Sequence, residues 1–202
     1  MGIISNGTTL LDAGAIDSGI ASGAMVLLST LTASNSATLD FTSGITSTYK
    51  EYMFKYINVH PSANNTSTFF GFQVDTGTNT NYAQTMTTTH FRGAHSEADN
   101  HATVQVGADR DQAEGTALQS LAYAVGGNAD ECISGTMSLF DPASSTFVKH
   151  FLSRANVYYE ADITMDSFTA GYVNTTTALT RVRFKMTGGN IESGIIKMYG
   201  IV

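Results

Sequence analysis

The feature that most constrains this chain is a recurrence at every second residue. In Leu179–Met186, Val182, Phe184 and Met186 alternate with Arg181, Arg183 and Lys185. In an extended chain that spacing puts the apolar set on one face and the cations on the other. Alternation also marks Ala37–Thr42 and Lys50–Val59 and, weakly, Tyr82–Arg92; Met25–Leu31 is a short apolar run, and Phe69–Val74, Thr103–Val106 and Cys132–Phe140 are read as further strands. Thr146–Arg154, Tyr158–Met165, Phe168–Val173 and Ile195–Ile201 complete the set. Segments of roughly 5–9 residues separated by Gly, Asn, Ser and Pro turns predict an all-β protein, an antiparallel β-sandwich or jelly roll.

Composition agrees where it bears on the argument. Charged residues are only 13% of the chain, and Thr, Ser, Asn and Gly take their place. Thr suits a pleated surface and the others suit turns, while the Leu, Ala, Glu and Lys bulk of long helices is missing. Arg110–Tyr123 is read as a possible short helix, interrupted by Gly115. In Lys50–Val59, strict alternation places Tyr52, Phe54, Tyr56 and Asn58 on one side and Met53, Lys55, Ile57 and Val59 on the other.

Residues 1–24 stand apart. They hold Ile3, Ile4, Leu10, Leu11, Ile16 and Ile20 with no sustained period, so they are read as an N-terminal arm whose apolar residues contact a neighbour. Residues 25–202 form the sandwich domain. A thin charged surface suits a chain that buries its sides against copies of itself. The net charge of −7 with scattered Lys and Arg disfavours nucleic acid as a partner. No apolar run approaches the roughly 20 residues of a membrane helix, and the start lacks the pattern of a signal peptide.

Candidate chemistry is sparse. His95, Glu97, Asp99 and His101 would share one face of an extended segment and place imidazole and carboxylate on a divalent metal, although a polar loop is the more ordinary reading of His90–His101. Asp75-Thr-Gly looks like the loop around an aspartic-protease aspartate, yet no second such triplet supplies the paired carboxylate. Asp109, Asp111 and Glu114 lack EF-hand spacing. Cys132 is alone and is read as a small core residue. Tyr158, Tyr159, Phe69, Phe70 and Tyr82 are the aromatic positions considered for exposure at a contact. No cofactor is expected, and the chain is read as not an enzyme.

Four stretches resemble a group of proteins from marine tailed phages. They are Ile3-Ile-Ser-Asn-Gly-Thr-Thr-Leu-Leu-Asp-Ala-Gly14, Thr48-Tyr-Lys-Glu-Tyr-Met-Phe-Lys-Tyr-Ile-Asn-Val-His-Pro61, Thr146-Phe-Val-Lys-His-Phe151, and Gly189-Asn-Ile-Glu-Ser-Gly-Ile-Ile-Lys-Met-Tyr-Gly-Ile201. The resemblance implies a virion structural protein of capsid-decoration or fibre type, with other capsid or tail proteins as partners; the single Cys132, which leaves no intramolecular disulfide, is read as pointing to assembly in the host cytoplasm. It carries over no site residues. A homotrimer is expected, with the arm crossing to a neighbour. The alternatives are a fibre protein that binds a receptor or host surface glycan, and a hydrolase acting on host polysaccharide.

Overall fold

The computed structural model describes residues 3–5, 8–12, 15–16, 24–64, 68–159 and 161–202. Among the described residues there is no helix, and every strand pair is antiparallel. The strands are β1 (Ile3–Ser5), β2 (Thr8–Asp12), β3 (Ala15–Ile16), β4 (Met25–Thr32), β5 (Leu39–Phe41), β6 (Glu51–Pro61), β7 (Phe69–Thr76) and β8 (Met86–Ser96). They continue with β9 (Ala102–Val106), β10 (Gln119–Tyr123), β11 (Ile133–Phe140), β12 (Lys149–Tyr159), β13 (Ile163–Val173), β14 (Leu179–Met186) and β15 (Ile191–Ile201).

These strands make a β-sandwich. An eight-stranded sheet, in the order β4-β15-β6-β11-β12-β13-β8-β9, packs against a four-stranded sheet in the order β10-β7-β14-β5. The core between them is aromatic. Phe184 of β14 lies 5.4 Å from Phe54, 5.7 Å in parallel stack with Phe70, 6.1 Å from Tyr56 and 6.2 Å from Phe41. All five are buried. Because the offset and edge contacts of aromatic rings add to their area burial, this cluster is the main tie between the two sheets.

Toward β13 and β8 the interior turns polar. The Thr169 hydroxyl donates to the Ser120 carbonyl (3.2 Å), so the His90 Nδ1, 2.9 Å from Thr169 Oγ1, must carry the proton and donate to it. Nε2 is then the bare lone pair, buried without a partner among the described residues. Burial holds the His90 ring below its usual pKa, helped by Arg92 and Arg110 and opposed by Asp111 and Asp109.

Several sequence expectations are corrected here. Arg110–Tyr123 holds no helix: side chains capture the backbone first, with Asp111 Oδ1 accepting from His90 N–H (2.6 Å) and Thr88 Oγ1 from Gln112 N–H (2.9 Å). The strand placed at Tyr82–Arg92 begins four residues later. Tyr82 sits in a loop at φ 51°, its amide donating to Asp75 Oδ2 (2.8 Å), with the Arg183 guanidinium 3.8 Å above its ring. The breaks drawn between Arg154 and Tyr158 and between Met165 and Phe168 do not exist. The turn lies instead between Tyr159 and Ile163, with Asp162 at φ 54°.

In β6 the alternation holds only to Ile57. Asn58 adopts φ 50°, the ladder to β11 slips between Ile133 and Gly135, and Val59 and Pro61 are buried instead of exposed. This is a β-bulge, which moves every later side chain to the opposite face.

The N-terminal strands β1, β2 and β3 form a small sheet of their own. Ile3 pairs with Leu11 and Leu11 with Ile16. Ile4 is exposed, at 64%. Ile20 lies outside the described residues, as do the side chains of Ile3, Leu10, Leu11 and Ile16.

Candidate functional site

Both faces of a sandwich sheet alternate, and among the described residues nothing covers the second face of the larger sheet. Along β12, Lys149, Phe151, Ser153, Ala155 and Val157 point inward while His150, Leu152, Arg154 and Asn156 point out. The registers of the neighbouring strands line up rows across this outer face. One row runs Thr136, Arg154, Phe168, Phe91 and Val106 over β11, β12, β13, β8 and β9. The next runs Met53, Ser138, Leu152, Ala170 and Thr89.

In the first row the side chains stand like plates. Phe168 and Phe91 are parallel at 6°, with centroids 4.7 Å apart, and the Arg154 guanidinium sits 5.0 Å from the other side of Phe168. Arg154 also grips Asp166 bidentately, Nε to Oδ1 at 3.0 Å and Nη2 to Oδ2 at 2.6 Å. That hydrogen bond raises the Arg154 pKa further, so the guanidinium is charged at any working pH. Beside the plates lies a shallow hollow of about 350 Å³ lined by Thr89, Phe91, Thr136, Leu152, Arg154 and Phe168. Further hollows continue along the same strands, past Thr87, His150 and Tyr172 in one direction and past Gly93, His95 and Val104 in the other.

Around the hollow the arrangement presents apolar edges, one closed ion pair and Thr and Ser hydroxyls, and the row continues past Thr136 to Lys55 and Lys197. Both faces of Phe168 are already occupied, so it has no free ring plane for a sugar to lie on. What remains suits a flat protein surface, where aromatic residues and Arg gather in the centre and unpaired charge is scarce.

The sequence candidates fall elsewhere. His95 ends β8 as an exposed side chain with Nε2 3.1 Å from Asp99 Oδ1, and Asp99 turns the chain at φ 53°. Ser96 Oγ accepts from the amides of Asn100 (3.2 Å) and His101 (3.0 Å). Residues 97–101 are therefore a hairpin turn rather than an extended run, and period 2 does not carry from His95 to Glu97, Asp99 and His101. Among the described residues, no three His, Cys, Asp or Glu side chains come together as a metal site.

Asp75 is buried and fully engaged. Its carboxylate accepts from Thr76 N–H (2.8 Å), Tyr82 N–H (2.8 Å) and Gln84 Nε2 (3.2 Å), which makes it the anchor of the following loop. Asp109 pairs with Arg110 and Asp111 holds the His90 amide, so the acidic run disperses. Cys132 is only half-buried, contrary to the core reading, and burial raises its thiol pKa. Of the aromatics considered for exposure, Tyr82 and Phe70 are buried; Phe147, at 69%, and Phe91, at 44%, are exposed instead, Phe91 on the outer face beside Phe168.

No protein-family model and no curated protein matches the chain. A solved structure of a protein of unknown function from Bacteroides ovatus aligns with 52% of this chain and 45% of its own, at 8% identity and a TM-score of 0.29. The chain thus spans less than half of that protein, and a likeness so slight carries no argument.

Proposed function

We propose that this chain is a non-enzymatic structural protein of a tailed-phage virion, a homo-oligomeric component of capsid-decoration or fibre type. The observation that supports the reading is the outer face of the eight-stranded sheet. Leu27, Ile57, Phe91 and Leu152 are all substantially exposed on it, and no element among the described residues packs over them. Apolar side chains spread along one face of a rigid sheet are what a subunit contact buries. The resemblance to phage proteins supplies the particle as the setting, and a trimer is the assembly proposed.

The test is Leu152→Glu. Leu152 is 56% exposed, so the change costs the isolated fold little. A carboxylate in a closed contact has no partner there, and the assembly dissociates while the thermal transition of the separated chains stays cooperative. An unchanged native mass would remove this face from the contact.

A second reading, a fibre protein that binds a host glycan, draws on the hollow beside Arg154 and Asp166. It predicts measurable retention on host polysaccharide that Arg154→Ala abolishes.

A further inference from the structure

The larger sheet ends on one side in β4 and on the other in β9, and the two edges differ in how they are protected. Exposed edges carry unpaired amides and carbonyls, and proteins blunt them with charge, proline, bulges or covering segments. At β4 the ladder slips between Met198 and Tyr199, a bulge in the middle of the edge pair. Along β8, the half not paired with β9 is covered by the loop after it. Met86 and Gly115 exchange backbone bonds at 2.8 and 3.0 Å, and Thr88 N–H donates to Gln112 O at 2.9 Å.

The remaining edge, β9, has none of these devices among the described residues. Its five residues, Ala-Thr-Val-Gln-Val, contain no charge, no proline and no glycine, and its pairing with β8 runs from Phe91–Val106 to His95–Ala102 without a slip. Val104 and Val106 are 81% and 73% exposed.

Parity makes this edge complementary to itself. Ser96 N–H bonds His101 O and Gly107 N–H bonds His90 O, so Thr103 and Gln105 address β8 while the backbone groups of Ala102, Val104 and Val106 face away. In a twofold antiparallel pair centred on Val104, Val104 meets Val104 and Ala102 meets Val106. Every outward amide then faces an outward carbonyl, no like charges meet, and the exposed valines lie side by side on the outer face.

We infer that β9 is a docking edge for β9 of a second copy of this chain, joining two eight-stranded sheets into one continuous sheet. This contact rests on the self-association proposed above, and it adds a twofold junction to whatever closed ring the subunits form.

The experiment is sedimentation of the full chain beside Val104→Pro and Val104→Lys. Proline removes an outward amide and leaves the bonds to β8 intact; lysine sets two like charges against each other at the twofold. The wild type is expected to be a hexamer, two of the proposed trimers joined through β9, and each variant is expected to fall to the trimer mass with an unchanged β-sheet circular dichroism spectrum. An odd-numbered wild-type assembly, or an even one that both variants preserve, overturns the β9 contact and leaves self-association standing. A wild-type monomer overturns both.

Discussion

Phe184 shows how much of this fold rests on single side chains. It touches aromatic rings from both sheets, so Phe184→Ala opens a cavity where they meet. That change is expected to cost about 3–5 kcal/mol, the range for Phe truncation in a packed core, read from urea unfolding. His90 makes a different prediction. In the unfolded chain its ring titrates near its ordinary value of 6.5, and in the folded chain burial keeps the pKa lower. Below pH 6.5 the unfolded chain therefore takes up a proton that the folded one refuses, so stability present above 6.5 is lost as the pH falls. The melting temperature should drop from pH 7 toward 5, and His90→Gln should flatten that slope.

At the scale of elements, the bulge in β6 is the device that sets which residues reach the core. Asn58 holds the left-handed turn, and opposite it Gly194 has φ 116° with room for no side chain: a Cβ there would lie 2.6 Å from the Asn58 carbonyl. Gly194→Ala combines that clash with a disfavoured backbone and should destabilise by about 1–3 kcal/mol, measured by thermal melting. The β8–β9 hairpin makes a simpler prediction. With His95, Glu97, Asp99 and His101 spread around a turn, EDTA should leave the melting temperature unchanged; a fall of several degrees would mean that a bound ion holds the turn.

The same elements show where sequence reasoning reaches. β14 is read to the residue because its buried and charged faces contrast at every step. β6 is read correctly only up to Asn58, since a bulge leaves no mark in an alternation of large residues. β12 and β13 appear as three pieces because Ser153, Ser167 and Thr169 point inward, and polar interior residues erase the pattern. The outer face was not legible at all. Phe91 and Phe168 fall in separate segments of the sequence, and only the register between β8 and β13 brings them side by side in the open.

For the whole molecule, the two sheets are unequal, and that inequality organises the account. Four strands cover one side of eight, and the aromatic core satisfies that side. The opposite side leaves Leu27, Ile57, Phe91 and Leu152 exposed among the described residues, and it is this face that the proposed assembly would bury. The most direct measurement is the native mass of the unmodified protein by light scattering after size exclusion, across a dilution series. The account predicts a stable oligomer of defined copy number that persists to low micromolar concentration. A clean monomer throughout would contradict it and would leave the outer face to a ligand.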